Sequence, residues 1–333
     1  MIARAAAVAA ALAVLSACTK QDPAPESGDG LPIGFGSATV AGTEAATKAG
    51  GVDFGRDFVI CGIKTIGSGE QPFVFPGYEV RYHDHSYDYV FGTQSIRYWD
   101  TSASSYAFWG YSPKDKAEIL ISHQTAMTSA FTPAQAQEFY YSDVENVLKA
   151  DYGKQVCMKF GRLGSRVRFG FYETIEGIGI SDITFSVSGN FLTTARYTLS
   201  AHGVSLLSSA VDHALSVSSL PGPLASERNA MATGRDITAW QPVLPLVDTD
   251  ITFTIESCTF SQEGSTKTLP LVEPIAIHIP QGYNYWEPNK DYTYVFKISA
   301  VNQDFNQIIF GFDGQIIRDW VDNGAETIYD FQP

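Results

Sequence analysis

The chain has 333 residues and a formal net charge of −14, from 22 Lys and Arg against 36 Asp and Glu. So acidic a chain repels phosphate backbones and anionic membrane surfaces, which excludes nucleic acid as a partner and leaves any membrane attachment to a lipid. Aromatic residues make up 13% and charged residues only 17%, a balance that suits β-sheets with ringed faces.

The N-terminus reads as a processing signal. Arg4 precedes an apolar run over 5–14 that is too short to span a bilayer comfortably, and Leu15-Ser16-Ala17-Cys18 follows. Small side chains just before a cysteine are what a lipoprotein signal peptidase accommodates. Residues 1–17 are therefore expected to be removed and Cys18 to be acylated. More than one acyl chain makes a stable anchor, so the expected location is the outer membrane, lipid-anchored and facing the cell surface. Residues 18–30 are rich in Pro, Gly, Ser and Asp, cannot bury apolar area, and read as a flexible tether.

Beyond the tether the pattern is that of strands. Ile33 and Phe35 alternate with glycine within 31–40, and Phe58–Ile66 is an apolar, β-branched run. Phe73, Val74 and Phe75 lead into the turn dipeptide Pro76-Gly77, after which 78–82 alternates. Segments 95–99 and 106–111 are predicted to pair as a hairpin across a polar stretch. Thr132, with Pro133 after it and good helix formers to Phe139, predicts one or two helical turns. Further strands are expected at 156–160, 166–172, 180–188, 251–255 and 292–298. In 166–172, Arg166 and Arg168 share one face and Val167 and Phe169 the other. Residues 200–234 are rich in Ser, Ala, Gly and Pro and read as a long surface connection. Many short strands without βα alternation argue for an all-β chain of sandwiches with few short helices. The length fits two tandem domains, placed at 31–155 and 156–333.

The search for chemistry finds no GxSxG, HExxH, P-loop, CxxC or GxGxxG, so neither an enzyme nor a cofactor is expected. His83-Asp84-His85, with Asp88 nearby, has the ligand types of a zinc site. On a strand the two histidines would share a face, but no third fixed ligand is evident, and a polar loop is the plainer reading; no metal is assigned. Asp313-Gly314 lacks the acidic spacing of a calcium loop and reads as a tight hairpin turn. Cys61, Cys157 and Cys258 are odd in number and too widely spaced for zinc; they read as small buried apolar residues with no structural disulfide. The rings of Tyr78, Tyr82, Tyr87, Tyr89, Tyr98, Trp99, Tyr106 and Trp109 have faces that stack on sugars, though most of them read as core.

At the level of ordered motifs, the chain resembles a known family. Ile33 and Phe35 are followed by Thr47-Lys48-Ala49, then Phe58-Val59-Ile60-Cys61-Gly62. Arg97-Tyr98-Trp99-Asp100 precedes Tyr106-Ala107-Phe108-Trp109-Gly110-Tyr111. Leu163-Gly164-Ser165-Arg166-Val167-Arg168-Phe169 comes next, and Pro288-Asn289-Lys290-Asp291-Tyr292 leads the last long strand, with Trp320 beyond it. In this order and spacing they are similar to the fimbrillin-like lipoproteins of Bacteroidales, the type V pilin family with its Mfa-like members. The resemblance implies two transthyretin-like β-sandwich domains and no enzyme activity. It implies a subunit, tip or anchor of a type V pilus or fimbria, or a related surface adhesin. The implied partners are other pilus subunits and a host protein or glycan. In polymerising members a trypsin-like protease cuts after an Arg beyond the first strand, and the groove left behind takes a C-terminal strand from another subunit. Carried onto this chain, the displaced strand is 31–40 with Ile33 and Phe35. The candidate cut sites are Lys48, which is not Arg, and Arg56, which lies between Phe54 and Phe58. The candidate donor strand carries Ile328 and Phe331, with an ordinary terminal strand as the equal alternative. A stand-alone surface lipoprotein that binds glycans through exposed aromatics is the competing function.

Overall fold

The structure, a computed structural model, describes residues 30–40, 57–67, 69, 71–215, 219–246, 249–263, 265–301, 308–319 and 326–330. Residues 1–17, Cys18, the tether up to 29, Lys48, Arg56, Trp320 and Phe331 lie outside the described residues.

The chain is all-β. In order come β1 (Phe35–Val40), β2 (Phe58–Ile66), β3 (Phe73–His83), β4 (Ser86–Asp88), β5 (Ala103–Ser112), β6 (Ala117–Leu120), β7 (Thr125–Thr128), β8 (Tyr140–Ser142), β9 (Glu145–Leu148) and β10 (Val156–Arg162). There follow β11 (Ser165–Glu173), β12 (Gly179–Ser200), β13 (Gly203–Leu215), β14 (Gln241–Val243), β15 (Thr252–Gln262), β16 (Ser265–His278), β17 (Lys290–Val301), β18 (Ile308–Asp319) and β19 (Glu326–Asp330). The short helix α1 (Pro133–Ala136) starts where the sequence predicts: Thr132 and Gln135 form a reciprocal capping box, with proline in the first turn.

The first sheet has eight strands in the order β1-β10-β8-β5-β2-β3-β4, with β9 also on β5. Both of its faces are covered. Phe58 and Ile60 of β2, with Tyr106 and Phe108 of β5, point into one core. Val59, Cys61 and Ile63, with Trp109 and Tyr111, point into another. Burial on both sides is why β2 reads as a continuous apolar run instead of alternating. The two ends of the sheet approach each other, since Ala38 N–H on β1 donates to Tyr87 Oη on β4 at 3.3 Å. The sheet therefore rolls around its aromatic core.

A five-stranded sheet, β14-β11-β17-β18-β19, faces a six-stranded one, β16-β15-β12-β7-β6 with β13 on β12. Phe171 and Phe296 from the former meet Phe185 and Phe253 from the latter, with Phe171–Phe185 centroids 5.2 Å apart and Phe253–Phe296 4.1 Å apart. This is sheet-on-sheet packing with ringed inner faces. The far part of β12 leaves that sandwich: Ala195, Tyr197 and Leu199 cover the outer face of the first sheet, beside Cys61 and Trp109.

Four expectations change. Segment 106–111 lies in β5, which pairs with β2, β8 and β9 rather than with 95–99; residues 97–99 bond instead to 31–33. Both edges of β5 are taken, by β2 on one side and by β8 and β9 on the other, which leaves none for 95–99. The stretch 200–234 contains the 13-residue strand β13, whose side chains stay exposed over 205–212, so it carries no alternation to detect. Asp313-Gly314 is not a turn; it sits within β18 at a bulge, where Gly314 has φ 149° and the register against β17 shifts. Finally β10, placed with the second half by the 155/156 division, belongs to the first sheet through β1 and β8.

Candidate functional site

The first strand is held at the edge of the rolled sheet. Its lead-in pairs antiparallel with 97–99: Ile33 N–H donates to Arg97 O at 2.7 Å and Trp99 N–H to Leu31 O at 2.9 Å. The strand then runs parallel to β10, from Phe35 opposite Val156 to Val40 opposite Phe160. Ile33 and Phe35 are 1% and 3% exposed, so both expected anchors point inward. The Phe35 ring lies 6.2 Å from Phe58, 5.7 Å from Phe75, 5.9 Å from Tyr89 and 6.2 Å from Phe108, edge-on to all four. Val156 and Met158 complete the same core from β10. Without 31–40 these side chains line an open groove, and one edge of β10 loses its backbone partner.

Two tyrosines clasp this strand. Tyr89 Oη donates to Ile33 O at 2.7 Å and accepts from Arg97 N–H at 3.1 Å. Burial pushes the Tyr89 phenol pKa up, opposed by its hydrogen bond to the Arg97 backbone. Tyr87 holds Ala38 from the other side. Neither role is legible in the sequence, where both tyrosines belong to an unremarkable ring-rich stretch. The segment carrying Lys48 and Arg56 joins β1 to β2, and its far end is fixed at Asp57. Tyr82 N–H donates to Asp57 Oδ1 at 3.1 Å, and Ser112 Oγ donates to Asp57 O at 3.0 Å.

The last strand, β19, is the edge of the five-stranded sheet and pairs antiparallel with β18, with Ile328 opposite Ile316. Here it completes its own sheet. Phe331 lies outside the described residues.

The remaining candidates separate. The strand reading of His83-Asp84-His85 is corrected: Asp84 and His85 have φ of 47° and 66° and form the turn between β3 and β4. His83 Nδ1 lies 3.6 Å from Asp84 Oδ2 and its Nε2 4.0 Å from Asp88 Oδ2, with exposed side chains. Trp99, Tyr106, Trp109 and Tyr89 are core residues, while Tyr98 is 47% exposed. Cys61, Cys157 and Cys258 are free thiols; Cys61 and Cys258 are buried in two different cores. Burial pushes the Cys61 thiol up to about 12, offset in part by a hydrogen bond to the Gly77 backbone.

The family model for fimbrillin-like proteins matches residues 47–320. The chain belongs to the fimbrillin-like family. Fimbrillin-like proteins are structural and non-enzymatic, in line with the lack of catalytic motifs. Among solved structures, this fimbrillin-like chain is similar to a proposed cell adhesion protein from Bacteroides uniformis, at 15% identity over 87% of this chain and 98% of that one, with a TM-score of 0.40. A second proposed cell adhesion protein, from Bacteroides ovatus, is 12% identical over 88% of this chain and 98% of that one, with a TM-score of 0.44. A fimbrial assembly protein from Parabacteroides distasonis is 10% identical over 82% and 91%, with a TM-score of 0.30. No curated protein matches.

Proposed function

We propose that this fimbrillin-like protein is a lipid-anchored structural subunit of a type V pilus, as shaft, tip or anchor, that acts in adhesion and joins its neighbours by donor-strand exchange. The observation that carries the reading is the plug-like first strand, whose Ile33 and Phe35 fill an aromatic groove from the sheet edge. Acylation at Cys18 would hold the chain at the outer membrane through the tether 18–30, ahead of two domains. Cleavage at Lys48 or Arg56 would free the segment before β2 and uncover Phe58, Phe75, Tyr89 and Phe108. A C-terminal strand from another copy would then supply backbone hydrogen bonds to β10 and alternating side chains to the groove.

The test is intact mass and unheated gel mobility of the full chain from its native envelope, before and after an Arg-specific protease. Loss of the lipidated N-terminal segment, with a ladder of heat-labile multimers, is the expected result. The Arg56→Gln variant should block the cut while Lys48→Gln should not. A single lipidated monomer that resists cleavage would overturn strand exchange.

A further inference from the structure

The outer face of the five-stranded sheet carries a row of charges placed directly opposite one another. Arg166 on β11 stands opposite Asp291 on β17, and Asp291 opposite Arg318 on β18. In this row both arginines have Asp291 as their cross-strand neighbour. The Asp291 carboxylate, 4% exposed, takes a two-point bond from Arg166, Nε to Oδ1 at 2.8 Å and Nη2 to Oδ2 at 2.5 Å.

The next row on the same face holds a cation and no acid. Arg168 stands opposite Thr293, and Thr293 opposite Ile316, which is opposite Ile328. Arg168 donates Nε to Thr293 Oγ1 at 2.8 Å and Nη1 to Thr233 Oγ1 at 3.4 Å. Its guanidinium lies 4.2 Å from the centroid of Trp240, a half-buried ring that also has Arg166 at 5.1 Å. Among the described residues no carboxylate pairs with Arg168. Burial pushes its pKa down to about 10, helped by the cations Arg318 and Arg166 and opposed by Asp291. A half-buried cation without an acid of its own is costly to keep unless something neutralises it. Two of the five guanidinium donors are engaged by threonine hydroxyls, which leaves a planar fork to meet an oxyanion.

The geometry points to Arg168, with Trp240 and Thr233, as a binding site for a single carboxylate or sulfate group carried on a sugar ring. Arg168 carries one positive charge, so one anionic group neutralises it. A polyanion or a strongly acidic protein would meet the repulsion of a chain of net charge −14. The half-exposed indole and the exposed Thr233 hydroxyl offer a stacking surface and a hydroxyl partner, which suit a sugar ring better than an acidic peptide. This site lies on the opposite sheet from the β1 groove, and its proposal stands whether or not strands are exchanged.

The experiment is calorimetric titration of the full chain with glucuronic acid, glucose 6-sulfate, glucose and a tetraglutamate peptide. Glucuronic acid or the sulfate should bind at least about tenfold tighter than glucose, since a charged hydrogen bond is lost in the neutral sugar. Binding of one acidic sugar alone separates carboxylate from sulfate recognition. Arg168→Gln should lower that affinity at least about tenfold without lowering the melting temperature. Thr233→Val, an exposed change that leaves the sheet intact, should weaken it severalfold. Equal binding of glucose and glucuronic acid, unchanged affinity in Arg168→Gln, binding of the peptide alone, or no binding of either acidic sugar at millimolar concentration would each overturn the assignment.

Discussion

Phe35 stands where four rings from three strands and one loop converge, so its removal cannot be repaired by a single neighbour. Phe35→Ala should cost about 3–5 kcal/mol, read as a lowered urea midpoint at unchanged slope. Phe35→Leu, which keeps most of the volume, should cost far less. The buried thiols and phenols set a second expectation. Cys61 ionises at about 12 in the fold against an ordinary 9.0, and Cys258 behaves alike; burial is the leading cause in both. Tyr141 moves from 10.0 to about 12, also by burial, with Asp143 adding to it. The unfolded chain therefore releases these protons first. The stability from keeping the groups neutral is fully present below about pH 9 and is lost as pH rises towards 12. Urea midpoints measured from pH 8 to 11.5 should fall steadily above pH 9, and a flat profile would contradict the burial of these groups.

At the scale of elements, the contact between β2 and β5 is close enough to specify a residue. A Cβ at Gly110 would lie 2.7 Å from the Val59 carbonyl oxygen, and Gly110 N–H is bonded to Ser142 Oγ at 2.7 Å. Gly110→Ala should destabilise by about 1–3 kcal/mol because backbone, rather than a flexible side chain, has to move. Thr132→Ala removes one half of the capping box on α1 and should cost about 1 kcal/mol in a thermal melt. The contrast between α1 and β13 explains what the sequence reveals. The start of α1 is legible because Thr132, Pro133 and Gln135 act within one turn. Likewise β2 and β11 are legible because burial writes itself into their apolar residues. β13 is held by backbone bonds to β12 while both faces of 205–212 stay exposed, so composition alone makes it look like a connection. The same limit applies to the candidate site. Ile33 and Phe35 are visible as an alternating apolar pair, but their parallel partner β10 lies more than a hundred residues away, and the Tyr87 and Tyr89 clasp exists only once the sheet has rolled.

At the scale of the whole molecule, the two halves share a core. Val59, Cys61, Ile63, Trp109 and Tyr111 from the first sheet pack with Phe131, Phe139, Ala195, Tyr197, Leu199 and Leu244. Strand β12 contributes to this core and, through Phe185 and Val187, to the sandwich core as well. One strand therefore serves two cores, and the strand cannot melt at one end without stripping cover from the other. The Gly164 and Asn289 contacts reinforce the junction: Arg162 N–H donates to Asn289 Oδ1 at 3.0 Å, and Asn289 N–H to Gly164 O at 3.0 Å. Unfolding is accordingly expected to be a single cooperative transition, with near-ultraviolet dichroism and hydrogen exchange in β2 and in β15 giving the same midpoint. Trp109→Ala, which empties the shared core, should lower both midpoints together by about 3–5 kcal/mol of stability. Two separated transitions, with only the β2 probe shifted by Trp109→Ala, would mean that the halves fold independently and that the shared core is a soft contact.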